Sequence, residues 1–334
     1  MKKIKTVIIG MGRMGNTRLK ALIEHGGYEI VGLCDADISK QKGYSVPFFS
    51  NWKQCIDDCA PESVFVCTIN GIIPDVVCYA LEKGINVFAE KPPGKNLDDA
   101  LRMQEVSKEY PHLVLKFGFN HRYHNSVIEA KALIDSGLIG EVVCARGVYG
   151  KTGSLNFANE WRNDVVTSGG GILLDQGIHM LDLLRYFVGD FSQVMSSVDN
   201  LVWKELETED SAFAILKTKE GKVASLHSNA LQWNHKFDLD IMCTNGYVAL
   251  NGLLTSTKSY GEERMTYYRK DLTARSGALG KPIEHTLAFD SDSSWDYEIA
   301  EFYEAVVCGE PVRNGTGNDA IEVMRLIERI YKGY

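Results

Sequence analysis

Asp175 and His179 stand four residues apart in a segment whose apolar positions, Leu173, Leu174, Ile178, Leu181 and Leu184, repeat as in a helix. At that spacing the two side chains share one helix face. A carboxylate beside an imidazole can move a proton near neutral pH. Ser168-Gly169-Gly170-Gly171 comes just before, and glycines there leave room for something bulky at the helix start. Glu90-Lys91-Pro92-Pro93 closes an apolar run from Ile85 that reads as a strand. An ammonium at the carboxyl end of such a strand can reach a substrate oxygen. The plainer alternatives are a local hydrogen bond for the Asp–His pair and a solvated surface residue for Lys91.

Gly10-Met11-Gly12-Arg13-Met14-Gly15 follows a β-branched run from Lys5 and opens a helical one. In that context the three glycines serve the tight turn, the backbone's approach to a pyrophosphate, and close helix–strand packing. Arg13 and Met14 then begin a helix whose unpaired N–H groups face the phosphates. Twenty residues after Gly15 stands Asp35, at the end of the next strand, with Ala36 rather than a basic residue after it. A carboxylate there accepts from the adenosine ribose and repels a 2′-phosphate, so the expected cofactor is NAD, with NADP disfavoured. Trp161-Arg162 lies in a loop ahead of the glycine run. Its guanidinium could take a carboxylate or phosphate bidentately, or form an ion pair between domains.

Positioning these residues requires two kinds of element. To about residue 120 the chain alternates strand and helix: strands over Lys5–Gly10, Tyr28–Cys34, Ser63–Thr68, Ile85–Ala89 and Leu113–Phe117, with helices between. That alternation predicts an α/β Rossmann domain with a parallel sheet, residues 1–120. Beyond it come a helix over Val127–Ser136, a strand over Glu141–Tyr149 and a polar, glycine-rich loop over 151–171. A helix over Ile172–Val188 follows. Alternating segments at 193–203, 211–217, 222–231, 236–243 and 246–254 then predict an α+β domain with a large, mostly antiparallel sheet, residues 121–334. Residues 255–292 suggest one more hairpin with a long loop, and the tail returns to helices that could pack back on the first domain.

Composition narrows the function. The 334 residues are 45% apolar and 24% charged, as in an ordinary globular protein. With 36 basic and 44 acidic residues the net charge is −8, which disfavours nucleic acid and anionic lipid as partners. No apolar run approaches a bilayer's thickness, and Met1-Lys2-Lys3 leads into too short a run for a signal peptide. A cytoplasmic location is expected. The eight cysteines read as small core residues, and no clustered Cys/His spacing suggests a metal.

Together the fingerprint, Glu90-Lys91-Pro92, Phe119-Asn120-His121-Arg122-Tyr123, Trp161-Arg162 and the Gly-Gly-Gly…Asp175…His179 run resemble the Gfo/Idh/MocA oxidoreductase family over essentially the whole chain. The resemblance implies that Lys91, Asp175 and His179 form the catalytic set. It implies cofactor contacts from Thr68, Asn70, Glu90 and Lys91, and a substrate pocket that adds Asn120, Arg122, Trp161 and Arg162. Where the family usually has Thr-Pro-Asn-x-x-His, this chain has Thr68-Ile69-Asn70-Gly71-Ile72-Ile73, and His124 stands at a frequent proline position. The expected function is hydride transfer between NAD and a secondary alcohol or ketone of a sugar, polyol, sugar acid or nucleotide sugar, in a homo-oligomer. The alternatives are another NAD-dependent reaction on this scaffold and a non-catalytic NAD-sensing regulator.

Overall fold

Ile4–Ile9 (β1) is buried at every position but Lys5, as a strand covered by helices on both faces must be. The structure is a computed structural model that describes residues 1–41, 43–153, 157–270 and 283–333. Its chain divides into two units: residues 1–120 with 166–169 and 295–325, and residues 121–165 with 170–294 and 326–334.

In the first unit β1 leads through α1 (Arg13–His25) to β2 (Tyr28–Cys34), then β3 (Phe48–Phe49), α2 (Trp52–Cys59) and β4 (Ser63–Val66). α3 (Ile73–Glu82), β5 (Asn86–Glu90), α4 (Leu97–Glu109) and β6 (Leu115–Gly118) complete the alternation. All pairings are parallel, in the order β3-β2-β1-β4-β5-β6. The order reverses between β1 and β4, and a crevice at the strands' carboxyl ends is where such sheets take ligands.

The second unit holds α5 (Asn125–Asp135), β7 (Val142–Thr152), most of the sequence after the single turn α6 (Val165–Ser168), and the helix α7 (Ile178–Val188). Its strands are β8 (Phe191–Asp199), β9 (Ser211–Thr218), β10 (Val223–Asn229), β11 (Leu231–Cys243), β12 (Gly246–Asn251), β13 (Glu263–Arg269) and β14 (His285–Phe289). The sheet runs β14-β13-β12-β11-β7-β10-β9-β8, antiparallel except for β7 against β10. β13 and β14 form the hairpin expected near the end of the sheet; residues 271–282 of the expected long loop lie outside the described residues. A side chain on Gly147 would strike the Met180 side chain, so glycine there gives α7 room to lie on β7 with Met180 in its present place.

Two helices close the chain, α8 (Ser294–Cys308) and α9 (Gly317–Lys332). α8 belongs with the first sheet: Ile299 and Phe302 are fully buried in the cluster that holds Phe65 and Phe88, and Tyr28 Oη donates to the Ile299 carbonyl at 2.9 Å. Phe302 meets both stacked phenyl rings edge-on, at 5.4 and 5.7 Å. All eight cysteines are free, but only Cys34, Cys55 and Cys78 are buried and Cys308 is exposed. The reading of all eight as core residues therefore fails at Cys308, the exposed last residue of α8.

Candidate functional site

At the carboxyl edge of the first sheet the chain turns from β1 into α1. Gly10 takes φ +97°, and a side chain there would press on the Cys67 carbonyl. A β-carbon on Gly15 would meet the Gly10 carbonyl. Gly12 differs, since nothing lies within 4 Å of where its β-carbon would stand. Among the described residues no side chain caps α1, and its first turn carries no acid. A glycine cradle beside an uncapped helix start, with its positive dipole end, fits a pyrophosphate.

Asp35 sits just past β2. Its Oδ2 accepts from Met11 N at 2.8 Å and Lys40 Nζ at 2.9 Å, and its Oδ1 accepts from Asp37 N at 3.0 Å. The carboxylate thus ties the glycine turn to the second strand. The neighbour that matters to it is not Ala36 but Lys40, on a 3-10 turn at Ile38–Gln41.

Thr68 is half-buried, and Asn70 is buried with its amide donating to the Ser168 carbonyl at 2.7 Å. Glu90 is buried too, and accepts from Arg18 Nε at 2.6 Å. Arg18 is fully buried between the rings of Phe88 and Trp295, at 4.4 and 4.7 Å, and its Nη2 lies 2.6 Å from Glu298 Oε2. Burial alone would lower the pKa of this guanidinium, but Glu298 and Glu90 outweigh it and hold it above its ordinary value. Asn70 and Glu90 therefore spend side-chain bonds on the protein itself. Lys91 follows Glu90, half-buried, with Pro92 and Pro93 buried behind it.

In the second unit Asp175 lies in a π-helical turn, Leu173–Gly177, that runs directly into α7. The wider turn alters the angular step, so Asp175 and His179 do not keep the offset of two residues in one α-helix. Asp175 Oδ1 accepts from Arg162 Nε at 3.1 Å, and Oδ2 from Lys151 Nζ at 3.3 Å. His179 is buried and stacks on His121, with ring centroids 3.7 Å apart and planes at 17°. His121 Nε2 is 3.1 Å from Tyr149 Oη. Gln176 Nε2 donates to Tyr260 Oη at 2.6 Å. One end of the sheet's inner face thus gathers a carboxylate, two cations, two imidazoles and two phenols.

The glycine run ahead of Asp175 does not leave its space open. A side chain on Gly170 would meet Tyr331, and one on Gly171 would meet the Glu209 backbone. The Glu209 carboxylate accepts from Gly171 N at 2.9 Å and Leu173 N at 2.8 Å, capping the turn from within; burial pushes its pKa up despite those bonds. What approaches this helix start is the chain itself.

Arg122 grips Asp182 through two hydrogen bonds, Nε to Oδ2 at 2.8 Å and Nη2 to Oδ1 at 2.5 Å, both side chains buried. Its charge is used to fasten the 120–123 turn to α7. Asn120 is buried, Trp161 is exposed, and the Arg162 guanidinium lies 4.5 Å over the indole. His124 also has a structural task. It precedes α5, and its Nδ1 lies 2.8 Å from Glu263 Oε2, both side chains buried. Burial would raise the Glu263 pKa, but the bonds from His124 and Ser126 overturn this and lower it. A carboxylate with a depressed pKa in the folded chain stabilises above its ordinary titration range and loses that contribution as pH falls through the folded value. His124→Ala should cost about 2–3 kcal/mol of stability at neutral pH, the scale of a buried carboxylate left short of a partner. The measurement is a urea midpoint, and an unchanged midpoint would contradict this role.

Sequence comparison fits both units. Residues 4–117 match the model of an oxidoreductase family with an NAD-binding Rossmann fold, and residues 127–249 match the GFO/IDH/MocA C-terminal domain. The chain belongs to the Gfo/Idh/MocA oxidoreductase family. As a member it is an NAD-binding oxidoreductase. Its relatives include a levoglucosan dehydrogenase from Pseudarthrobacter phenanthrenivorans, 25% identical over 60% of this chain and 58% of that protein. A myo-inositol 2-dehydrogenase from Thermotoga maritima is 23% identical over 91% of this chain and 88% of its own length. Among solved structures of this fold, levoglucosan dehydrogenase with NADH and levoglucosan superposes with a TM-score of 0.87 at 20% identity, over 99% of this chain and 97% of that one. A 3-ketoreductase from Actinomadura kijaniata, bound to NADP and TDP-benzene, gives 0.84 at 19% identity over 99% and 98%. No described helix is long and apolar enough to cross a membrane.

Proposed function

We propose that the first unit binds NAD and the second a hydroxyl-rich, sugar-like substrate, whose secondary alcohol is oxidised, or whose ketone is reduced. The observation that carries this reading is the cluster around the π turn. Asp175 is held there by Lys151 and Arg162, and the buried imidazole of His179 follows four residues later. Its relatives act on levoglucosan and inositol by name. The Arg162 guanidinium ahead of the glycine run suits a carboxylate or phosphate on the substrate. Its Nε bond to Asp175 occupies one of the guanidinium's five N–H donors, so neutral and anionic sugars both stay within the reading.

NAD supplies the acceptor for the hydride when it is bound. His179 takes the proton from the reacting hydroxyl in oxidation and returns it in reduction. Lys91 donates a hydrogen bond to the same oxygen and stabilises its developing charge. Asp175 favours the protonated imidazole electrostatically. Lys91 as the base is the competing assignment. A screen of NADH formation over sugars, polyols, sugar acids and nucleotide sugars tests the reading, and turnover of none of them with intact NAD binding would favour a sensor.

Asp35 motivates a cofactor preference. NAD should bind more tightly than NADP by about 1–3 kcal/mol, the scale of a polar group met unpaired. Fluorescence titration of both would measure it, and equal affinity would overturn the Asp35 role. We also propose a cytoplasmic homo-oligomer. Eight free thiols suit a reducing compartment. On the outer face of the second sheet Met195, Phe213, Ile215 and Val223 are exposed on adjoining strands, an apolar surface that a second copy would cover. Light scattering should give a dimer or tetramer, and a monomer at every concentration would contradict it.

A further inference from the structure

We propose that Lys40 is a specificity residue for the cofactor: it blunts the exclusion of a 2′-phosphate that Asp35 alone would impose, so that this chain binds NADP as well as NAD, though less tightly. The inference rests on the NAD-binding reading of the first unit and goes beyond it.

A carboxylate offers about four acceptor positions. Three at Asp35 are occupied, by Met11 N, Asp37 N and Lys40 Nζ. Two of those donors are backbone groups fixed by the glycine turn and by the loop after β2. The third is a flexible side chain, 39% exposed, on a carboxylate only 11% exposed. A ribose hydroxyl that binds Asp35 therefore takes the last open position or shares Oδ2 with Lys40. In either case the ammonium stands beside the ribose, where a 2′-phosphate would be carried. Asp35 repels that phosphate and Lys40 attracts it. The pair together is close to neutral, so the discrimination expected of a lone acid is reduced. Asp37, the other described charge on this loop, is exposed and its pKa is lowered by bonds from Ser39, so it remains an anion that opposes the phosphate. Lys40 is then the cation that makes NADP tolerable. Its position five residues past the acid, on a short 3-10 turn, is what brings it back to Asp35.

The test is binding of NADH and NADPH to the full chain, followed by fluorescence at several salt concentrations. Lys40→Met should weaken NADPH about tenfold, the lower end for one charge-assisted hydrogen bond to a phosphate, and change NADH by less than about twofold. Lys40→Arg should keep both affinities near the wild type. NADPH binding by the wild type should weaken with salt more steeply than binding by the Lys40→Met variant. An unchanged NADH-to-NADPH ratio in Lys40→Met, or equal loss of both, overturns the proposal alone. A wild-type chain that excludes NADPH altogether does the same. A wild-type chain that binds neither cofactor overturns the NAD reading and this proposal with it.

Discussion

Replacing His179 by alanine is expected to lower kcat by about 10²–10⁴-fold, the usual contribution of a positioned acid–base group. NADH affinity should change little, because the glycine turn, Asp35 and the start of α1 all belong to the first unit and His179 to the second. The ring is buried against His121, so truncation leaves a gap under α7. His179→Gln, which fills more of that gap but takes up no proton at neutral pH, should lose as much activity as the alanine variant. If His179→Gln retains most of kcat, the imidazole is packing rather than the base. Asp175→Asn adds a second readout. It removes the carboxylate and leaves Lys151 and Arg162 without their counter-charge, so a protonated imidazole becomes less favourable. The acid limb of the kcat profile should therefore move to lower pH. An unmoved limb, or movement to higher pH, would mean that Asp175 does not favour the protonated imidazole.

The sequence displays the backbone of the site well and its side-chain partners poorly. Val64–Val66 and Val87–Ala89 are buried on both faces, so their unbroken apolar runs read directly as parallel strands. Gly10 and Gly15 read correctly as turn and packing glycines because their constraints are local to one strand–turn–helix. By contrast, β3 has two residues and α2 buries only Cys55 and Ile56, too little apolar pattern to signal an element. The sequence hides Lys151, because the residues from 151 onward look like a loop, whereas β7 continues to Thr152. Its alternation with Tyr149 on the same strand was the available signal. The π turn inserts a residue that a 3.6 period cannot register. Glu209 and Arg18 find their partners 36 and 72 residues away, separations no motif encodes. The glycine run thus looked like space for a ligand, when it is space for Glu209 and Tyr331.

Lys91→Ala should also cut kcat strongly, by about 10²–10³-fold, as when one donor to a developing oxyanion is removed. The argument begins with the residue before it. Glu90 is locked by Arg18, which is itself held by Glu298 and two aromatic rings, so the end of β5 is a fixed point of the first unit. Pro92 and Pro93 are buried immediately after. A lysine between two such anchors has a fixed base, which suits a group that must meet an oxygen repeatedly in one place. The substitution removes the ammonium and leaves both anchors, so the fold should persist. The pH profile then decides between the two assignments of the base. If His179 is the base, Lys91→Ala lowers the plateau and keeps the acid limb, while the His179 variants lose that limb. If the limb disappears with Lys91 and survives without His179, the lysine takes the proton. A loss of less than about tenfold on Lys91→Ala would place its ammonium away from the reacting oxygen, because a charge-assisted hydrogen bond to that atom is worth at least that factor.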